Sequence, residues 1–417
     1  MTHSFDLIVV GAGMVGAAVA RALADAPLRI AVLDALPRDA LGRGSETGSG
    51  YDPRVSALSA ASQRVLSALG AWQRIVPQRR CAYSAMRVWD AEGTGEIGFD
   101  AAALHETRLG HIVENHLVQQ ALLDSLDETR VELFFGQPVQ GLVREESGWR
   151  LNLADGLRLS APLLIAADGA RSQIRELAGF AMREWDYLHH ALVTTVQLEQ
   201  PHQATAWQRF LPTGPLAFLP LPDVDGRHYC SIVWSLVPDQ AEQMMALDEA
   251  AFCAALGKAI EGRLGRVLSA DRRHCIPLRQ RHARQYAMPG LVLVGDAAHS
   301  IHPLAGQGVN LGFLDAAELA EVLLAALRRG ESLAELAVLQ RYERRRMADN
   351  LAMMAAMEGF ERLFHADALG LRWVRNAGMR WLDNQPLLKS GLIRRAMGLS
   401  GDLPALARNP EIVSTQA

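Results

Sequence analysis

The chain has 417 residues, 49% of them hydrophobic and 21% charged, an ordinary globular composition with length enough for two or three domains. A net charge of -4, with no basic motif, gives no basis for nucleic-acid binding. Cys81, Cys230, Cys253 and Cys275 lack Cys-x-x-Cys spacing, so no dithiol centre and no metal site is expected.

The first element is the apolar run Leu7 to Val10, followed at once by Gly11-Ala12-Gly13-Met14-Val15-Gly16. This is the strand–turn–helix pattern of a dinucleotide site. Gly11 permits the tight turn, Gly13 lets backbone approach a pyrophosphate, and Gly16 allows close helix–strand packing. The helix start then offers free N–H groups to the phosphates. Val15, Val19 and Leu23 form one helical stripe. A second buried strand, Leu28 to Leu33, ends at Asp34, an acid placed to accept from ribose hydroxyls. Pro37 to Pro53 is Gly/Ser-rich and reads as a loop, and a helix follows around Ser59 to Leu69.

Ala85–Phe99 and Leu192–Trp234 are rich in strand formers and turn signals, which suggests an inserted antiparallel sheet. Leu163 to Ala167 and Leu291 to Val294 read as buried parallel strands ending in Asp168-Gly169 and Gly295-Asp296. Asp168 alone fits an ordinary turn better than a ligand site, whereas an acid at 296 can accept from a polyol chain. Gly306-Gln307-Gly308 should open the helix carrying Asn310 to Leu327, with glycine allowing backbone to approach a flat ring. From about Tyr342 onward the chain reads as helical. The cofactor domain is expected in pieces, 1–80, 106–180 and 272–345. A sheet domain is expected from 81–105 and 181–271, and a helical region from 346–417. No basic leader precedes the first strand and no run of 18 apolar residues occurs, because Asp315, Glu318 and Glu321 interrupt the most apolar helix. A cytoplasmic protein is expected, peripheral on the inner face of the membrane at most.

His302 to Asp315 reads His-Pro-Leu-Ala-Gly-Gln-Gly-Val-Asn-Leu-Gly-Phe-Leu-Asp. Through this stretch the chain resembles the class A flavoprotein aromatic hydroxylases of the para-hydroxybenzoate hydroxylase fold, and more narrowly the ubiquinone-biosynthesis hydroxylases. Arg54-Val55-Ser56-Ala57, Gly110 to Asn115, Trp185 to Leu192, Cys230 to Trp234 and Ala396 to Leu399 extend the resemblance toward the VisC-like (UbiI) 2-polyprenylphenol hydroxylase branch. It implies an α/β fold, a Rossmann-type FAD domain with an inserted antiparallel-sheet substrate domain and C-terminal helices. By the same resemblance, Gly11, Gly13, Gly16 and Asp34 hold the ADP half, with Asp34 where a glutamate is common. Arg54 and Asn115 face the cofactor, Asp168 meets FAD and a transient reductant, NAD(P)H, and Asp296 takes the ribityl chain. Pro303, Gly306, Gln307, Gly308, Val309 and Asn310 line the isoalloxazine.

The implied activity is an FAD-dependent monooxygenase using O2. It would hydroxylate a 2-polyprenylphenol ortho to its hydroxyl, at ring C5, through a flavin hydroperoxide. The alternatives are a paralogue acting at another ring position or on a soluble aromatic, and a flavin-bearing scaffold subunit among ubiquinone-biosynthesis complex proteins. No catalytic base is compelled. His189 and His190 stand where either can polarise a phenol hydroxyl, or can simply be structural. From Ala368 to Ser400, six basic residues interleave with Leu371, Trp373, Trp381, Leu387, Leu388 and Leu392. That stretch either contacts an anionic membrane or packs on the body with a solvated basic face.

Overall fold

The computed structural model describes residues 2–42, 44, 48–127, 129–300, 308–365 and 369–408. Leu7–Val10 lies inside a six-stranded sheet, flanked by Ile30–Leu33 and Leu163–Ala166, with Leu291–Leu293 and Glu132–Phe134 outside them. These pairings are parallel, and Ala287–Met288 adds an antiparallel edge. Every residue of Leu7–Val10, Ile30–Leu33 and Leu163–Ala166 is buried. That is why these strands read as continuous apolar runs rather than alternating ones. Each buried Leu, Ile or Val contributes roughly 1.5–3 kcal/mol. The helices Met14–Leu23 and Gly308–Arg328 pack together in this core.

The second large unit is a nine-stranded sheet centred on Met182–Leu198, a strand of 17 residues. It is antiparallel apart from one parallel pair, Thr205–Leu211 with Ala85–Asp90. One edge of Met182–Leu198 pairs with His274–Ala283, from Met182↔Ala283 to Val193↔His274. This corrects the sequence division. Residues 274–283 join the large sheet rather than the cofactor sheet, because the first part of Met182–Leu198 runs past the strand His228–Leu236, which begins pairing only at His190, and finds its ladder partner in His274–Ala283. Arg80–Tyr83 is instead the edge of a three-stranded sheet with Gly110–Glu114 and Val55–Ser59. The expected boundary at 345/346 falls within the helix Leu336–His365.

The helices Leu369–Asp383 and Pro386–Ala396 close one side of the molecule. Arg375 Nε lies 2.6 Å from Asp90 Oδ2, with both side chains 1% exposed. Asn376 donates to the same carboxylate at 2.9 Å and accepts from the Gly95 N–H at 2.6 Å. A Cβ on Gly93 or Gly95 would strike the Asn376 side chain. Those glycines therefore make the hairpin a socket for the helix.

Candidate active site

At the first turn Gly11 has φ +105°, and a Cβ there would sit 2.4 Å from the Ala167 carbonyl oxygen. Gly16 is closer still: its Cβ would lie 1.9 Å from the Gly11 oxygen. A Cβ on Gly13 would meet nothing within 4 Å, because this residue borders open space. Gly13 carries no side chain to cap the helix start, so the first N–H groups are left to face an anion. Asp34 accepts from the Ala12 N–H at 2.7 Å and the Leu36 N–H at 2.8 Å. Two backbone bonds orient the carboxylate and leave lone pairs over.

Gly11, Gly13, Asp34, Arg54, Asn115 and Asp168 come together around one cavity of about 470 Å³. Asn115 accepts from Ser56 Oγ at 2.6 Å and opens the helix Asn115–Asp127. His116 and Gln119 of that helix also line the cavity, and Gln119 donates to the Ala12 carbonyl at 3.0 Å. Sequence reasoning missed both. The spacing of Asn115 and Gln119, four apart on one helical face, was the available signal. Asp168 accepts from Ser172 Oγ and the Ile174 N–H. Burial raises its pKa despite these donors.

Gly295–Ala297 forms a short turn after Leu291–Leu293. Asp296 is reached by solvent but set deep among protein atoms, and burial raises its pKa although His299 opposes this. It does not line the 470 Å³ cavity. Behind it, Asp315 accepts from the Gly295 N–H at 3.2 Å, from Arg346 Nε at 2.8 Å and from Asn350 at 3.2 Å. His299 Nε2 lies 2.5 Å from the same carboxylate. Burial pushes the Asp315 pKa up, but His299 and Arg346 outweigh it and hold the carboxyl at about 2.

The helix Gly308–Arg328 begins at Gly308, followed by Val309 and the buried Asn310. Asn310 Oδ1 accepts from the Ser59 N–H at 3.0 Å and Ser62 Oγ at 2.6 Å, and its Nδ2 donates to the Ala57 carbonyl at 2.8 Å. It ties the helix to the strand Val55–Ser59. Pro303, Gly306 and Gln307 lie outside the described residues. Asn310 also borders a second cavity, of about 240 Å³, whose other walls are largely apolar and include Met86, Phe99, Met353, Met357 and Ile393.

Neither His189 nor His190 lines either cavity. His189 is buried with Nδ1 2.6 Å from the Tyr187 carbonyl oxygen. A bulge between Asp186 and His189 sets that turn. His190 sits in ladder register with Leu236 and Pro277.

The residues present fit a dinucleotide: Gly13 borders open space, an uncapped helix start opens on the cavity, and the carboxylates of Asp34 and Asp168 line it. Residues 4–356 match the FAD binding domain family, and the chain belongs to it as a flavoprotein monooxygenase. It is 39% identical to 3-demethoxyubiquinol 3-hydroxylase of Escherichia coli, over 94% of this chain and 98% of that one. It is 36% identical to ubiquinone hydroxylase UbiL of Rhodospirillum rubrum, over 97% and 92%. Within the flavoprotein class it is a member of the ubiquinone-biosynthesis hydroxylases. The p-nitrophenol 4-monooxygenase PnpA of Pseudomonas putida matches with TM-score 0.75 at 21% identity, over 96% of this chain and 99% of that one. That likeness is one of fold, the para-hydroxybenzoate hydroxylase type.

Proposed function

We propose that this chain hydroxylates the ring of a 2-polyprenylphenol in ubiquinone biosynthesis, ortho to its hydroxyl at ring C5. The observation that carries this reading is the second cavity. It begins at Asn310, beside the start of Gly308–Arg328, and is walled by Met86, Phe99, Met353, Met357 and Ile393. Such a lining suits a ring with a hydrocarbon tail and excludes water from it. FAD, once reduced by a transient donor such as NAD(P)H, supplies the oxygen-activating chemistry. The protein's own part is to hold and orient. Gly11, Gly13, Gly16 and Asp34 would hold the ADP half, with Arg54, Asn115 and Asp168 around it. Asp296 would take the ribityl chain, and the segment from Pro303 to Asn310 would meet the ring. A second reading has a specific support. The 39% identical relative bears the name of a 3-demethoxyubiquinol 3-hydroxylase, which favours a quinol precursor and another ring position. Incubation with FAD, NAD(P)H, O2 and a short-chain 2-prenylphenol, with the new hydroxyl located by NMR, tests both. An ortho product supports the first reading, and turnover only of a demethoxyquinol supports the second. Flavin loading without hydroxylation of either overturns both.

Delivery of so apolar a substrate belongs to the same proposal. Among the described residues no helix is long and apolar enough to cross a membrane. Trp373, Trp381 and Leu387 are nevertheless 73%, 58% and 89% exposed, beside the exposed Arg380, Arg394 and Arg395. Leu392 and Arg395 of the same helices border the apolar cavity. An anionic bilayer complements that face, with aromatic rings at the interface and cations toward headgroups. Replacing Trp373, Trp381 and Leu387 together by Glu should abolish co-sedimentation with phosphatidylglycerol vesicles and leave flavin content unchanged. Unchanged vesicle binding overturns the membrane contact and leaves that face for a protein partner.

A further inference from the structure

The apolar cavity has few polar groups, and most are already engaged. Asn310 has both ends of its amide hydrogen-bonded to the strand and helix beside it. Ser59 Oγ caps the helix Ala60–Ala68, accepting from the Ser62 N–H at 3.2 Å. Arg395 lies on the exposed face of the helix Pro386–Ala396. Tyr83 remains. It lines the cavity, and among the described residues no group hydrogen-bonds its hydroxyl.

Its position is set by the three-stranded sheet. Ser59 and Tyr83 both stand opposite Gly110, so the three residues lie abreast across three strands. Cross-strand partners project from the same face. Glycine in the middle leaves that face open, and the Tyr83 ring lies across the gap. A Cβ on Gly110 would come 3.0 Å from the Tyr83 oxygen and 3.1 Å from Cε1. The hydroxyl therefore reaches over the central strand, while Ser59 on the far strand is bonded through its N–H to Asn310. That is the end of the cavity where the helix Gly308–Arg328 begins. Burial pushes the Tyr83 pKa to about 12, so the group remains a protonated donor.

We infer that the Tyr83 hydroxyl is the polar anchor of the substrate cavity: it donates a hydrogen bond to the ring oxygen of the bound prenylated phenol and selects against prenylated compounds without one. The inference rests on the reading above, in which this cavity takes the substrate. With the tail held only by apolar contacts, the chain could slide. One donor beside the start of the helix Gly308–Arg328 fixes which ring carbon is presented, and a ring lacking oxygen leaves a buried donor unpaired.

The test is binding to oxidised holoenzyme, followed by the perturbation of the flavin absorbance spectrum. The probes are 2-prenylphenol and prenylbenzene. Tyr83→Phe keeps the ring over Gly110 and removes only the hydroxyl. Expected is a loss of affinity of about three- to tenfold for the phenol, with prenylbenzene bound as tightly as by wild type or more tightly. Equal affinity of wild type and Y83F for the phenol overturns the role of Tyr83. So does an equal loss for both probes, which marks a packing role. A wild type that binds neither probe overturns the functional reading itself, and this inference with it.

Discussion

Asp315 is a fully buried carboxylate facing two basic side chains, His299 and Arg346, both nearly as buried. Removing one partner of such a set leaves the others charged or polar without compensation, typically at about 3–5 kcal/mol. Asp315→Asn should lower stability by that order in urea melts and loosen the Gly295-Asp296 turn, whose N–H the carboxylate holds. A loss below about 1 kcal/mol would sink this account. The glycines separate two functions in the same way. Gly16→Ala puts a Cβ 1.9 Å from a backbone oxygen and should destabilise even the flavin-free protein. Gly13→Ala meets no protein atom, so the apoprotein should melt within about 0.5 kcal/mol of wild type while FAD affinity falls. Equal melting losses for the two would contradict the assignment of open space to Gly13. The glycine turn was legible because backbone clearance leaves its mark directly in residue type. The Asp315 cluster was not. Its aspartate closes a recognisable signature, but His299 and Arg346 are partners only after a strand and two helices converge. His189 was open to either reading from residue type alone, chemical or structural, and its ring lies against the Tyr187 carbonyl beside a local bulge.

At the scale of elements, the parallel strands were readable from their continuous apolar runs, as both faces are covered. The long strand Met182–Leu198 was only half readable. Its first residues, Met182 to Leu188, include Arg183, Glu184 and Asp186 on an exposed stretch, and nothing local reveals that His274–Ala283 pairs with them. The C-terminal helices posed a different problem, since an amphipathic basic stretch has no sign of what it docks on. Here the socket is the hairpin around Gly93 and Gly95, which Asn376 enters while Arg375 meets Asp90. Arg375→Met would leave the Asp90 carboxylate buried without its cation. Increased hydrogen exchange is then expected across Leu369–Asp383 and Pro386–Ala396, together with loss of binding in the apolar cavity, because Ile393 and Met397 form part of its wall. The six-stranded sheet should keep its protection. Exchange unchanged in both helices would show that other contacts hold them.

Among the described residues burial lowers the pKa of four histidines, His111, His116, His202 and His282, and the shift is largest in His111 of the three-stranded sheet and His282 of the large sheet. His111 is packed against the Trp72 ring with Arg108 3.2 Å from Nε2. Burial lowers its pKa to about 4, and Arg108 and Arg80 add to the effect. His282 faces Tyr286, whose hydroxyl is 3.0 Å from Nε2. Burial, then His299 and Arg183, bring its pKa to about 4 as well. In the unfolded chain both titrate near 6.5, so between about pH 6.5 and 4 the unfolded state binds more protons than the native one. Their contribution is complete above pH 6.5 and is lost as pH falls toward 4. From pH 7 to pH 5 the loss is about 2 kcal/mol for each histidine. Asp315 adds nothing in that window, since its carboxyl stays charged down to about pH 2; its own contribution is lost only below about pH 4. Urea melts at pH 7 and pH 5 should therefore show a large acid loss in wild type. In His111→Phe, which keeps an aromatic ring beside Trp72 and has no proton to take up, that loss should be smaller by about 2 kcal/mol. An acid loss of the same size in H111F would mean that His111 is protonated in the native state, with its charge held by a partner, and that the acid sensitivity of the molecule lies elsewhere.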